Sequence, residues 1–201
     1  MKLNINRGLN KQSLTTCIGI IAVISPLLHS IGDVIKLIDN GLLSVPQLIL
    51  TYASFMLLPL MIVGIFALYW QKLGWIGFMG AILYSVAFTY FATTAMNPLV
   101  HMLSEVTSGN LNFNELSDLL GFPYLFHGIL MILGGLLFGG AILLSNTLPK
   151  LTGILLIIGV LANAIFSLVP IGPFFIVGAL IRNASFILMG FYLLKNKEAL
   201  Y

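Results

Sequence analysis

The chain has 201 residues, of which 59% are hydrophobic and only 7% are charged, and its formal net charge is +3. A soluble domain carries about 25% charged residues, so the composition excludes a water-exposed globule. Several apolar runs exceed the roughly 18 residues that mark a membrane-spanning helix. The sequence therefore predicts an all-α, polytopic membrane protein in which residues 1–201 form a single integral membrane domain.

Six spans are predicted, each long enough to cross a hydrocarbon layer of about 30 Å. They lie at about 14–37, 47–70, 73–97, 121–145, 150–169 and 173–194. The N-terminal segment imitates a signal peptide, but no small-residue cleavage site follows its apolar core. We expect it to be an uncleaved first span. Cys17 is the only cysteine, which excludes an internal disulfide and a cysteine-based metal motif.

The first span carries titratable residues near its C-terminal end. His29, Asp33 and Lys36 are spaced i, i+4 and i+7, which places them on one face of a helix. Asp33 is the one acidic residue of the six that falls clearly within a predicted span. This face is therefore a candidate polar site.

The third span carries a second set of polar residues towards its end. Tyr69, Trp70 and Trp75 flank the connection before it, which is typical of an aromatic belt at the headgroup level. Because Asn97-Pro98 disfavours helical geometry at Asn97, we expect the helix to kink or end there. The polar residues at helical spacing are Tyr90, Thr94, Asn97, His101 and Glu105.

The longest connection, 102–120, holds three acidic residues and no basic one. Its tail, NFNELSDLLGF at 112–122, places leucines among acids and predicts a short helix lying on the membrane surface. His127 follows, close to the start of the fourth span. In the same span Gly135 and Gly139 form a G-x-x-x-G arrangement, which allows helices to approach closely.

Spans four and five carry a family resemblance. The segments GGLLFGGAILLSN (134–146) and LPKLTGILLIIGVL (148–161) resemble a pattern of small-residue helix, Leu-Pro-basic and Gly-Leu-Leu found in small uncharacterised bacterial multi-pass membrane proteins. The resemblance implies a bacterial cytoplasmic membrane protein. It brings no known activity and no catalytic residues.

The sixth span contains Arg182, far from either of its ends. Facing lipid would cost about 2.5–3.5 kcal/mol on insertion scales, so we expect the guanidinium to face the bundle interior and meet an anion. Asp33 approaches a similar depth from the first span and is the predicted partner, with Glu105 as second choice. Asn163 in the fifth span lies towards the same side.

Basic residues set the expected orientation. With the N-terminus inside, cytoplasmic segments hold seven lysines and arginines, and outer segments hold one. Both termini are therefore predicted to be cytoplasmic, in the cell membrane. The seven are Lys2, Arg7, Lys11, Lys72, Lys150, Lys195 and Lys197, against Lys36 outside. The positive net charge thus reflects topology and does not indicate nucleic-acid binding.

Under this topology most polar groups within the spans fall in the outer half of the bilayer. They predict a polar cavity open to the outside, lined by His29, Asp33, Asn97, His101, His127, Asn163 and Arg182. We expect a non-enzymatic, small transporter-like or accessory protein without a resident cofactor.

The alternative is a membrane oxidoreductase in which histidines bind haem or a metal. The three candidate ligands are His29, His101 and His127, and no pair of them has a tight metal-binding spacing.

The lipid bilayer is the one partner that the sequence indicates. A homo-oligomer formed through a glycine-rich helix and an association with another membrane subunit both stay open. The class of small-molecule ligand also stays open.

Overall fold

The computed structural model describes residues 11–104, 113–168 and 175–196, which are helical apart from short connections. Four of the helices in these ranges are long and apolar enough to cross a membrane, and α4 is a shorter apolar helix. The described residues therefore form a helical membrane protein. The five helices are α1 (Lys11–Ile38), α2 (Val45–Ser104), α3 (Phe113–Ser145), α4 (Lys150–Leu168) and α5 (Phe175–Lys195).

The predicted second and third spans are merged in α2, which is broken near its middle. The backbone leaves helical geometry at Tyr69 (φ −123°, ψ 19°) and at Gly74 (φ 58°, ψ −160°). Glycine adopts this positive φ without the steric penalty of a side chain. We call residues 45–68 α2N and residues 75–104 α2C. The two segments double back on each other, because Phe66 contacts Phe78 with ring centroids 5.6 Å apart.

The aromatic residues at this break differ in exposure. Trp70 and Trp75 are 59% and 79% exposed, as expected for side chains at a headgroup boundary. Tyr69 is only 7% exposed and packs into the core, so its predicted place in the aromatic belt is wrong. The physical reason is its departure from helical φ and ψ, which turns the side chain inwards.

Two predicted helix boundaries are also wrong. Helix α2 continues through Pro98 to Ser104 with helical φ and ψ at Asn97, whereas a kink or an end was expected there. A proline removes one backbone hydrogen bond from a helix, a loss that helices packed in a membrane tolerate. The predicted surface helix at 112–122 is instead the start of α3, which begins at Phe113 and runs without interruption to Ser145.

The helical segments form a closed ring in which each packs antiparallel against its neighbours in sequence, and α1 packs against α5. Near the start of α1, a Cβ on Gly19 would lie 2.9 Å from Leu194, close to the end of α5. Further along, α1 and α5 meet again through His29 and Arg182. The chain thus alternates between two ends of one bundle.

This alternation collects basic residues at one end of the bundle, which we call the basic end. The starts of α1 and α4, the break in α2 and the end of α5 all lie there. They bring together Lys11, Lys72, Lys150 and Lys195. The opposite end of α1 carries Lys36 and is followed by Asp39.

Glycines set the close approach between helices, as the G-x-x-x-G pattern predicts. A Cβ on Gly139 would lie 3.2 Å from the Gly153 carbonyl oxygen, and one on Gly135 would lie 2.5 Å from Val160. The two predicted glycines therefore pack α3 directly against α4. Van der Waals contact of this kind is the main force available between helices in lipid.

Candidate polar site between α1 and α5

Arg182 lies in the interior of the bundle, about 11 Å from the start of α5 at 1.5 Å per residue. Its side chain is only 2% exposed, so the prediction that it faces away from lipid is confirmed. Helix α4 approaches the Arg182 backbone because Gly159 has no side chain. A Cβ at Gly159 would lie 2.5 Å from the Arg182 nitrogen.

The nearest polar partner of Arg182 is His29, not Asp33. The Arg182 Nη2 atom lies 3.0 Å from His29 Nδ1. Arginine can only donate, so Nδ1 must accept and the ring proton must sit on Nε2. His29 Nε2 then faces Asp33 Oδ2 at 3.8 Å. The imidazole therefore stands between the cation and the carboxylate.

The predicted direct ion pair between Arg182 and Asp33 is thus wrong. Both residues lie in the same half of the bundle, but His29 is one helical turn closer to Arg182 on the same face of α1. The sequence indicated that Arg182 faces α1, whereas the choice between two residues one turn apart depends on the packing of α1 against α5.

The rest of the guanidinium is surrounded by weak partners. Nη1 donates to the Met131 sulfur at 3.6 Å, and the guanidinium carbon lies 5.2 Å from the centre of the Phe88 ring. The Nε atom is buried without a hydrogen-bond partner. A thioether is a weak acceptor, so the buried charge is stabilised mainly by the contact with His29, the cation–π contact with Phe88 and an interaction with the Tyr84 hydroxyl.

Asn183 and Ser30 extend the polar contact between α5 and α1. Asn183 Nδ2 lies 3.0 Å from Ser30 Oγ and 3.2 Å from His29 Nδ1. Ser30 Oγ in turn donates to the Pro26 carbonyl oxygen at 2.9 Å. Our sequence reasoning did not include this pair in the site. The signal available was the position of Asn183 beside Arg182 and of Ser30 beside His29.

Asp33 has a different environment on its other side. Its side chain is 14% exposed, and Oδ2 is buried without a hydrogen bond. Lys36, one turn further along the same face, attracts the carboxylate electrostatically. From Arg182 to Lys36, a file of charged and polar side chains thus runs from the bundle interior to the end of α1. We call Arg182, His29, Asp33 and Lys36 the polar file.

His127 lies in the same half of the bundle but does not join the polar file. Its ring packs edge-on against Phe91 with centroids 4.0 Å apart, and Phe91 contacts Phe55 at 4.9 Å. Phe55 then contacts His29 at 4.8 Å. Two phenylalanine rings therefore separate the two imidazoles.

The remaining predicted site residues lie apart. Asn163 is half-buried at the crossing of α4 and α5, where a Cβ on Gly178 would lie 2.9 Å from its Oδ1. Asn97 is exposed, so it does not face the bundle interior with Arg182. The His101 side chain falls outside the residues that the structure describes. Within the described ranges, no group of three His, Cys, Asp or Glu side chains is arranged to hold a metal.

Two surface grooves of the described residues lie elsewhere. One, near the start of α1, is lined by Gln12, Ser13, Thr16, Cys17 and Ile20. The other lies between α2N and α2C and is lined by Val63, Phe66, Ala67, Trp70, Phe78, Ala81 and Ile82. The polar site itself is packed, because His29, Arg182 and Asn183 are 6%, 2% and 1% exposed.

Fold and site together define a class: a helical membrane protein with a buried, incompletely paired polar site between its first and last helices. Comparison of the chain with protein-family models, with curated proteins and with solved structures gives no match.

Proposed function

We propose that the protein is a six-span, multi-pass protein of a bacterial cell membrane with both termini in the cytoplasm. The break in α2 supports two spans within that helix, and α4 has 19 residues, about 29 Å at 1.5 Å per residue. The orientation is supported by the basic end, because lysines and arginines accumulate on the cytoplasmic side. Under this topology the polar file begins at the outer face.

We further propose that the protein is transporter-like and admits a small polar solute from the outer side along the polar file. The observation that carries this proposal is the Arg182 guanidinium, which is buried within a membrane helix and whose nearest polar partner is the His29 imidazole and not a carboxylate. Ionisable groups inside a membrane are expensive and usually mark solute or proton pathways. A purely structural brace would be expected to pair the cation directly with a carboxylate.

Cysteine labelling tests this access. In a Cys17→Ser background, Ser30→Cys places a thiol beside His29, and intact cells are treated with a membrane-impermeant maleimide. We expect labelling of Ser30→Cys from outside. Leu27→Cys is the matched control on the same helix, because Leu27 is 44% exposed on a face that we assign to lipid. A thiol there meets no water, so it should stay unlabelled.

Asn40→Cys, in the turn after α1, reports which side of the membrane this end of α1 faces. It therefore distinguishes a wrong topology from the absence of an access route to His29. Labelling of Asn40→Cys from outside with no labelling of Ser30→Cys would contradict the access route and leave the topology standing. Protection of Asn40→Cys in intact cells, with labelling after lysis, would contradict the orientation. A Soret band or stoichiometric metal in the purified protein would favour the oxidoreductase alternative instead.

A further inference from the structure

We propose that the surface groove between α2N and α2C binds one anionic phospholipid, with an acyl chain along the groove and the headgroup phosphate beside Lys72. The proposal goes beyond the transporter-like function and does not rest on it. It stands on three observations: the shape of the groove, its position at the headgroup boundary, and the positive charge at its end.

The groove has the lining and the length that an acyl chain needs. It holds about 470 Å³, which lies within the roughly 300–1,000 Å³ typical of ligand sites, and every side chain that lines it is apolar or aromatic. The small side chains of Ala67 and Ala81 leave the depression between the two segments. From Val63 to Trp70 the groove follows about 10 Å of helix, or about two-thirds of one leaflet of the hydrocarbon layer.

One end of the groove lies at the headgroup boundary. Trp70 lines this end and is 59% exposed, and Trp75, on the other side of the break in α2, is 79% exposed. Tryptophan side chains are enriched where the hydrocarbon layer meets the headgroups. A chain in the groove would therefore have its headgroup at the break and its tail directed towards Val63.

Lys72 supplies the charge that selects an anionic headgroup. It is exposed in the break, two residues after Trp70, and no acidic side chain of the described residues forms a salt bridge with it. Three further lysines lie at the basic end, where the described ranges place no acidic residue. A phosphate with net negative charge is attracted to such a site, whereas a zwitterionic headgroup carries no net charge to be attracted.

Fluorescence quenching by brominated lipids tests the proposal. The chain has two tryptophans, so Trp75→Phe leaves Trp70 as the reporter in the groove. The full-length variant is reconstituted into vesicles of phosphatidylcholine and phosphatidylglycerol, and one lipid at a time carries dibrominated chains, which quench tryptophan by contact. We expect phosphatidylglycerol to be favoured at Trp70 by about fivefold, the effect of one lysine near a membrane surface.

Two lysine variants in this background separate a site from a diffuse field. Lys72→Gln should bring the two lipids close to equal binding at Trp70. Lys150→Gln is the matched control, because Lys150 is exposed at the same end of the bundle but no residue of α4 lines the groove. It should keep the preference. An equal loss in the two variants would assign the attraction to the basic end as a whole and overturn the proposal.

A third variant tests the groove itself. Ala67→Leu fills the depression and leaves the charge unchanged, and folding should tolerate it because Ala67 is exposed. We expect the preference at Trp70 to be lost. A retained preference would show attraction by Lys72 without a bound chain, and would overturn the proposal. Absence of quenching by either brominated lipid would also overturn it, because a second copy of the chain or another protein would then cover the groove.

Discussion

Glycines bring helices together in both halves of the bundle, as Gly159 does beside Arg182, but the half away from the basic end adds buried ionisable side chains. In the half towards the basic end, glycines bring backbones together: a Cβ on Gly80 would lie 2.5 Å from the Phe138 nitrogen, and Gly190 faces the Gly19 carbonyl oxygen. In the other half, α1 meets α5 through Arg182, His29 and polar neighbours whose donors outnumber their acceptors. Buried donors and charges without full partners lower stability, so the incomplete pairing around Arg182 favours a functional role for that half.

The largest effect is expected where the packed half is overfilled. Gly80→Leu would push α2C and α3 apart, because its Cβ would meet the backbone of Phe138 and not a movable side chain. We expect a loss of more than about 3 kcal/mol, enough to remove most monodisperse protein on size-exclusion chromatography. Gly140→Leu is the control, since a Cβ at Gly140 meets nothing within 4 Å. Equal yields of the two variants would contradict the packing account.

An intermediate effect of opposite sign is expected in the polar half. Arg182→Met replaces a buried, poorly paired cation with an apolar side chain, and His29 Nδ1 keeps Asn183 Nδ2 as a neighbour at 3.2 Å. Replacing a whole buried ion pair by apolar residues is often neutral or stabilising by about 1–4 kcal/mol, and the hydrogen-bond partner that Arg182 would leave behind is the neutral His29 and not a carboxylate. The melting midpoint of the purified protein, measured by intrinsic fluorescence, should therefore hold or rise by about 2–4 °C. A fall of several degrees would instead make Arg182 a structural brace.

The smallest effect is expected where a buried polar group is fully paired. Ser185 Oγ donates to the Thr152 carbonyl oxygen at 2.7 Å and joins α5 to α4 in the packed half. Ser185→Ala should cost about 0.6 kcal/mol, the average for such bonds in membrane bundles. The melting midpoint would then fall by about 1–2 °C, while Ser13→Ala on an exposed surface should not change it. A gain in stability for Ser185→Ala would contradict the expected difference between a paired polar group, whose removal costs stability, and the poorly paired Arg182, whose removal does not.

The course of the helices could largely be predicted from the sequence, because long apolar runs and the cost of a lipid-facing arginine are strong local signals. The spacing of Gly135 and Gly139 also predicted a close helix contact, which the structure places between α3 and α4. The continuation of α2 past Pro98 was missed, because tertiary packing outweighs a local preference worth one hydrogen bond.

The partners of Arg182 were harder to predict than its direction. Asp33 was the predicted partner, with Glu105 as second choice. A helical face repeats every three to four residues, so the spacing did not show that His29, one turn away on the same face, would lie closer to Arg182. Asn97 shows the same limit. Polar residues at helical spacing identify one face of a helix. Only the packing of the helices shows whether that face points into the bundle, and Asn97 is exposed instead.

Labelling of Ser30→Cys relative to Leu27→Cys by an impermeant reagent outside intact cells tests the central claim most directly. The two thiols lie less than one turn apart on α1, one beside the polar file and the other on the lipid-facing side. The account predicts rapid modification of Ser30→Cys and none of Leu27→Cys. Equal protection of both thiols, in cells where Asn40→Cys is modified, would contradict it.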